Sequence, residues 1–425
     1  MRFYSRVALA VVFGLVLAHN IVFFRYVYRS LSESDGYRNH SGDILGGDFI
    51  VFYQAANIFQ QEPENLYNFE YFSKKVAEFG DAHSTRVSGL FYGYPPLFTY
   101  LVAKILPVNF FQAYITWLAI SATLFIGALV ALLRNLGASW KFIALTGLSA
   151  LAFQPFSFSC LLSGQTSACA TAIFVLFFLL FDRGRTLLAG MVLSLSYYKP
   201  PLFAVLVLTM LCARQWRVIT GFLMGGSTLV AATVLTFGGE QFLNYLQQVS
   251  QYRYGVSMAK GLQLPLEFGV GALAAMEGLR LATSSALQVI LGGTVVVTSY
   301  ALGSYLRRFS DDRDERFLWY ATVVGVSLIL SLHMFVYDLA AFFPFIVGTC
   351  FVAHRRGLHG WSIALFCIGV LGLCHETFYR SVPVGDVTVN GTTIAWLLVL
   401  MSLRSMLISV RRPIKNGEVP SQDIS

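Results

Sequence analysis

Apolar runs of about 20 residues recur along the whole chain, separated by short clusters of Arg and Lys. A helix of that length crosses a hydrocarbon core roughly 30 Å thick. The runs fall near residues 6–28, 108–133, 142–162, 166–181, 186–198, 201–213, 217–237, 283–305, 317–335, 339–353, 361–375 and 392–409. This pattern predicts an all-α protein, a polytopic transmembrane helix bundle of about 12 spans. The 186–198 and 201–213 runs are short and read as helices broken at Lys199-Pro200-Pro201. Broken helices are tolerated at membrane depth where protein or a cavity covers them. The first run, Val7 to Phe24, is longer than the apolar core of a cleavable signal, about 7–15 residues. It reads as a retained first span.

Three polar segments interrupt the pattern: 29–95, 238–266 with an extension towards 282, and 375–391. The first is too long to be a simple connector. Within it, Phe49, Phe52, Tyr53, Ala56 and Phe59 recur at helical spacing, which predicts interfacial helices starting at Asp48. The same spacing also suits a helix packed on other loops. With the N-terminus inside, the inner loops hold Arg134/Lys141, Arg183/Arg185, Arg214/Arg217, Arg307/Arg308/Arg313/Arg316 and Arg355/Arg356. That asymmetry places both termini in the cytoplasm, with 410–425 as a cytoplasmic tail and 29–95 extracytoplasmic. No internal repeat emerges, and 1–425 reads as a single membrane domain.

Composition narrows the function. Of the 425 residues, 56% are hydrophobic and 12% charged, whereas soluble domains carry about 25% charged residues. The net charge of +8 sits in orienting loop clusters rather than on one basic face, which excludes nucleic acid as a partner. Membrane lipids are the expected surroundings. Six cysteines lie in or beside apolar runs without a CxxC pair, a pattern that gives neither a disulfide framework nor a zinc site.

Several polar residues stand out against this background. Asp48, in Gly46-Gly47-Asp48-Phe49, reads either as a helix N-cap or as a general base at the membrane surface. Tyr94, in Tyr92-Gly93-Tyr94-Pro95-Pro96, fits an aromatic belt. Gln165, in Ser163-Gly164-Gln165-Thr166, marks a tight turn or a sugar-hydroxyl ligand. Lys199 reads as a snorkelling lysine or as an intramembrane cation that neutralises a lipid phosphate. His333, Tyr337 and Asp338 cluster between two apolar runs. Asp312-Arg313-Asp314 matches a metal–nucleotide D-x-D pattern but has no α/β domain around it and reads as a solvated loop. Asn39-His40-Ser41 and Asn390-Gly391-Thr392 are glycosylation sequons in outer loops.

Taken in order, Asp48-Phe49, Tyr53-Gln54-Ala55-Ala56, Asn65-Leu66-Tyr67, Tyr94-Pro95-Pro96-Leu97, Gly164-Gln165, Lys199-Pro200, His333 and Tyr337-Asp338 resemble glycosyltransferase family 87 over about residues 40–345. That family includes polyprenol-phosphate-mannose-dependent α-mannosyltransferases. Two positions depart from its pattern: Leu332, where proline is expected, and Gly47 ahead of Asp48. The resemblance implies a GT-C helix bundle with surface helices in the first outer loop. It implies Asp48 as the catalytic base and His333 as a site residue. A polyprenyl-phosphate sugar would be the donor, mannose favoured, and a lipid or glycan the acceptor.

Transfer would be inverting, with Lys199 and Arg253 on the donor phosphate and Gln165, Tyr337, Asp338 and Tyr94 around the sugar. No metal and no cofactor is required by this scheme. The compact chain suggests a bacterial inner or plasma membrane. The competing expectation is a transporter or flippase of a lipid-linked sugar without catalysis.

Overall fold

The computed structural model describes residues 2–84, 92–251, 285–308, 312–331, 336–358, 361–374, 381–384 and 387–411. Four helices belong to the first third of the chain: α1 (Arg2–Ser32), α2 (Phe49–Gln61), α3 (Phe69–Ala82) and α4 (Pro96–Ile105). There follow α5 (Phe110–Asn135), α6 (Trp140–Leu151), α7 (Gln154–Phe156) and α8 (Ser167–Asp182). Next come α9 (Thr186–Ser194), α10 (Ala204–Cys212), α11 (Trp216–Gln251) and α12 (Ser285–Leu306). The last four are α13 (Arg313–Ile329), α14 (Phe343–Arg355), α15 (Trp361–Cys374) and α16 (Gly391–Arg411). One antiparallel hairpin, β1 (Ser381–Val384) on β2 (Val387–Asn390), is the exception to helix among the described residues. Among the described residues the protein is thus helical throughout apart from this hairpin and the connecting loops.

Local chemistry explains the helix starts. Asn68, Asn109 and Ser139 each accept a first-turn backbone N–H at the heads of α3, α5 and α6. Each such side chain satisfies a donor that the helix cannot. Pro95 holds extended backbone directly before α4, whose first residue is Pro96. Proline fits there because its missing N–H has no partner in a first turn.

Over the described residues the predicted apolar runs are largely helical, but the expected count of about 12 spans is not reproduced by length. Phe110–Asn135, Trp216–Gln248 and Val336–Arg355 are long and apolar enough to cross a membrane. Trp140–Leu151 and Gln154–Leu162, bent by 66°, make a fourth if they count as one span. Others are short; the nine residues of α9 rise only about 14 Å. The polar segment expected from 238 is helical as far as Gln251. There α11 kinks at Gly238, whose φ of 83° and ψ of 155° suit glycine.

The expected surface helix is α2, and protein covers it. Phe49, Ile50, Val51, Phe52, Tyr53, Ala55, Ala56 and Ile58 are all buried. The physical reason is aromatic packing on more than one face: Phe52 stacks on Trp117, and Tyr53 meets Phe79 and Phe110. These residues, with Phe72, Val76 and Tyr92, form a smaller core beside the main core of α5, α8, α9, α10, α13 and α14. Tyr94, Phe98 and Leu118 pack against both.

A lattice of charges ties helix ends together. Asp182 pairs with Arg313 at 3.2 Å and Arg316 at 3.1 Å. Asp314 pairs with Arg355 and Arg356, and Arg355 also donates to the Leu136 carbonyl at 2.7 Å. The D-x-D residues are therefore structural: Asp312 caps α13 by accepting from Asp314 and Glu315 N–H groups, and Arg356 neutralises it.

Small residues permit the closest helix crossing. A Cβ on Gly190 of α9 would collide with the Val218 carbonyl of α11, and one on Gly221 with the Leu187 carbonyl. Close approach through small residues is how apolar helices associate without a hydrophobic driving force. Gly190→Ala and Gly221→Ala should each destabilise the protein by about 1–3 kcal/mol through overpacking. Gly226→Ala, where a Cβ meets nothing within 4 Å, should be neutral or stabilising. Thermal unfolding in detergent checks all three.

Candidate active site

Two glycine turns bring Asp48 and Gln165 together. Gly46 and Gly47 have φ of 80° and 48°, and a Cβ on Gly46 would sit 2.7 Å from the Tyr114 ring. On the facing side, Gly164 has φ of 71°, and a Cβ there would come within 2.5 Å of Phe49 Cβ. Only residues without side chains let these turns touch. Helix α5 braces the second turn: Tyr114 donates its hydroxyl to the Leu162 carbonyl and the Trp117 indole N–H donates to the Gly164 carbonyl, both at 2.8 Å.

The segment that carries Gln165 is irregular. Beyond α6 the chain bends at Gln154-Pro155 and continues as a π-helix over Ser157–Leu162. Such π segments are often found at functional sites. Aromatic contacts clamp it: Phe158 meets His19, Phe23 and Tyr26 of α1, and Phe156 stacks on Phe125 at 3.6 Å between centroids.

Asp48 stands at the N-cap position of α2 with φ −70° and ψ −12° and makes no side-chain cap hydrogen bond. A cap there is typically worth about 0.5–2 kcal/mol. Its carboxylate instead accepts from Gln165 Nε2 at 2.5 Å. Burial pushes the Asp48 carboxyl above its ordinary value, while the Gln165 hydrogen bond pulls it down.

The next two residues extend the site. Thr166 shares a hydrogen bond with the Tyr94 hydroxyl at 3.2 Å, and its carbonyl accepts from Tyr198 at 3.3 Å. Ser167 donates to Asp338 Oδ1 at 2.7 Å. Lys199 Nζ reaches both Asp338 carboxylate oxygens at 2.7 Å. The Lys199 side chain is 7% exposed and that of Asp338 is fully buried. Lys199 also lies 4.8 Å from the Tyr337 ring centre, a cation–π distance. Tyr337 in turn stands within electrostatic reach of Asp338 and Asp48.

Six residues singled out from the sequence thus meet around Gln165-Thr166-Ser167: Asp48, Tyr94, Gln165, Lys199, Tyr337 and Asp338. Arg253 and His333 lie outside the described residues, as do the tail from 412 and most of the second outer segment. Lys199, expected on the donor phosphate, is paired with Asp338. The reason is electrostatic: an ammonium buried in apolar surroundings requires a counter-ion, and Asp338 supplies it. Sequence reading passed over Thr166, Ser167 and Tyr198 as site residues. The signal for Thr166 and Ser167 is a polar run, Ser163 to Ser167, between two apolar helices. Nothing in the sequence pointed to Tyr114 and Trp117 as braces.

Breaking one side of a buried ion pair leaves an uncompensated charge and costs about 3–5 kcal/mol, whereas replacing both partners by apolar residues is often neutral. Lys199→Met and Asp338→Leu should each lower the thermal midpoint in detergent strongly. The double variant should recover most of the loss.

The family model of glycosyltransferase family 87 matches residues 91–336. That stretch contains Tyr94, Gln165, Lys199, Arg253 and His333; Asp48, Tyr337 and Asp338 lie outside it. No curated protein and no solved structure is matched. With more than half of its length matched, and with apolar helices throughout, this membrane protein belongs to glycosyltransferase family 87.

Proposed function

We propose that the protein transfers a hexose, mannose by preference, from a polyprenyl-phosphate sugar to a hydroxyl of a lipid or glycan acceptor. Asp48 is the general base. The acceptor oxygen attacks the anomeric carbon from the face opposite the phosphate. Asp48 takes the hydroxyl proton, the C1–O bond to phosphate breaks, and polyprenyl phosphate leaves with the electron pair. The configuration inverts, because attack and departure lie on opposite faces of the ring. Phosphate is already a good leaving group, so the step as drawn uses no metal.

The observation that carries this reading is the orientation of Asp48. An aspartate at a helix start that forgoes the cap bond and turns towards a polar cluster is arranged for something other than helix stability. A carboxyl raised by burial is also a better proton acceptor when ionised. The Lys199–Asp338 pair is neutral overall, so Lys199 would offer the donor phosphate a hydrogen-bond donor rather than a net charge. Arg253 and His333 complete the proposed set, Arg253 on the phosphate and His333 on the sugar. Tyr94 and Tyr337 supply ring faces for the sugar. The positive-inside loops favour cytoplasmic termini and an extracytoplasmic site.

Asp48→Asn should lower turnover of a radiolabelled polyprenyl-phosphate mannose by about 100- to 10,000-fold. Wild-type turnover in this variant would overturn the assignment and favour a transporter without chemistry. The rate should rise with pH as Asp48 ionises, with its midpoint above the ordinary aspartate value. Stability should move the opposite way. With the folded-state value raised, this group's stabilising contribution is present at low pH and is lost as pH rises through that value. At neutral pH Asp48→Asn should therefore melt no earlier than wild type, a result differential scanning fluorimetry can check.

A further inference from the structure

The one hydrogen bond the Asp48 side chain makes among the described residues goes to Gln165. The donor must be the amide nitrogen, because an ionised carboxylate offers only lone pairs. Gln165 is itself fixed. It is 6% exposed, and its backbone N–H donates to the Cys160 carbonyl at 2.8 Å. The turn before it is pinned by Tyr114 and Trp117 from α5. The residue after it engages Tyr94 and Tyr198. A glutamine gripped at its backbone on both sides and committed at its amide nitrogen is poorly placed to adapt to a sugar. It is well placed to aim a carboxylate.

We infer that Gln165 is a positioning residue: its amide draws the Asp48 carboxylate away from the head of α2, fixes its direction into the site and favours its ionised form. The inference rests on the reading of Asp48 as general base. The same contact explains how a half-buried carboxylate beside the 163–167 turn can lose its proton. Burial alone disfavours the charge, and a donated N–H offsets that penalty. Gln165 therefore acts on the reaction through Asp48 and not by touching the reacting atoms.

The test follows protonation of Asp48 directly, by infrared titration of the carboxyl band in detergent-purified full-length protein. Asp48→Asn identifies the band. Gln165→Met keeps the side-chain length and removes the donor; the Asp48 midpoint should move up by about one to two pH units. Gln165→Glu sets a second carboxylate beside the first, and like charges at such range cannot both ionise easily, so its shift should be larger. In each variant the acid limb of turnover with polyprenyl-phosphate mannose should move by the same amount.

An unmoved Asp48 band in both variants would overturn the inference, as would turnover lost in both with the acid limb in place. The two readings fail separately. Should Asp48→Asn keep full turnover while the band still shifts in Gln165→Met, the coupling stands and the base assignment falls. Should Asp48→Asn be inactive while the band stays put, the base stands and the positioning role falls. If Gln165→Met melts early, the near-isosteric Gln165→Glu carries the measurement.

Discussion

Inside an apolar bundle a polar side chain without a partner loses its hydration and gains nothing in return, so buried polar groups gather where they can satisfy one another. Three consecutive residues at the head of α8 organise that gathering here. Gln165 meets Asp48, Thr166 meets Tyr94 and Tyr198, and Ser167 meets Asp338, which in turn holds Lys199. The partners come from far apart in sequence, from positions 48, 94, 198, 199 and 338. Their convergence on one turn joins the smaller core of α2–α4 to the main bundle.

The irregular backbone around that turn is what makes the convergence possible. A continuous helix from 142 to 162 would carry its residues straight past α2. The bend after α6 and the π-helical stretch redirect the chain, and Gly164 lets it lie against Phe49. Lys199 is delivered in a comparable way, at the break between α9 and α10, where Pro200-Pro201 forbids continued helix.

Much of the fold was legible in the sequence. Apolar runs and their flanking cations located most of the helices to within a few residues, though not α3, α4 or the end of α11, because hydrophobic periodicity is the signal that burial in lipid or protein imposes. Lys199-Pro200-Pro201 announced its own helix break. The site was legible in its members but not in its contacts. Asp48, Gln165 and Asp338 stood out as polar residues near apolar runs, yet nothing local reveals that residue 165 touches residue 48 or that Asp338 neutralises Lys199. Such pairings are set by tertiary packing. The burial of α2 was hidden for the same reason. Its amphipathic spacing fits a membrane surface as well as a protein one, and only Phe79, Phe110 and Trp117 decide between them.

The crossing of α9 and α11 has a consequence for biosynthesis. With nine residues, α9 is too short to partition stably into a bilayer by itself. Its glycine-lined partner α11 emerges from the ribosome only after the broken Lys199 segment and α10. Until α11 arrives, the stretch bearing Lys199 seats only on earlier elements such as Tyr94 and Thr166, and its counter-ion Asp338 follows later still. Insertion of this part of the chain is therefore a collective event, in which the later helix secures the earlier one.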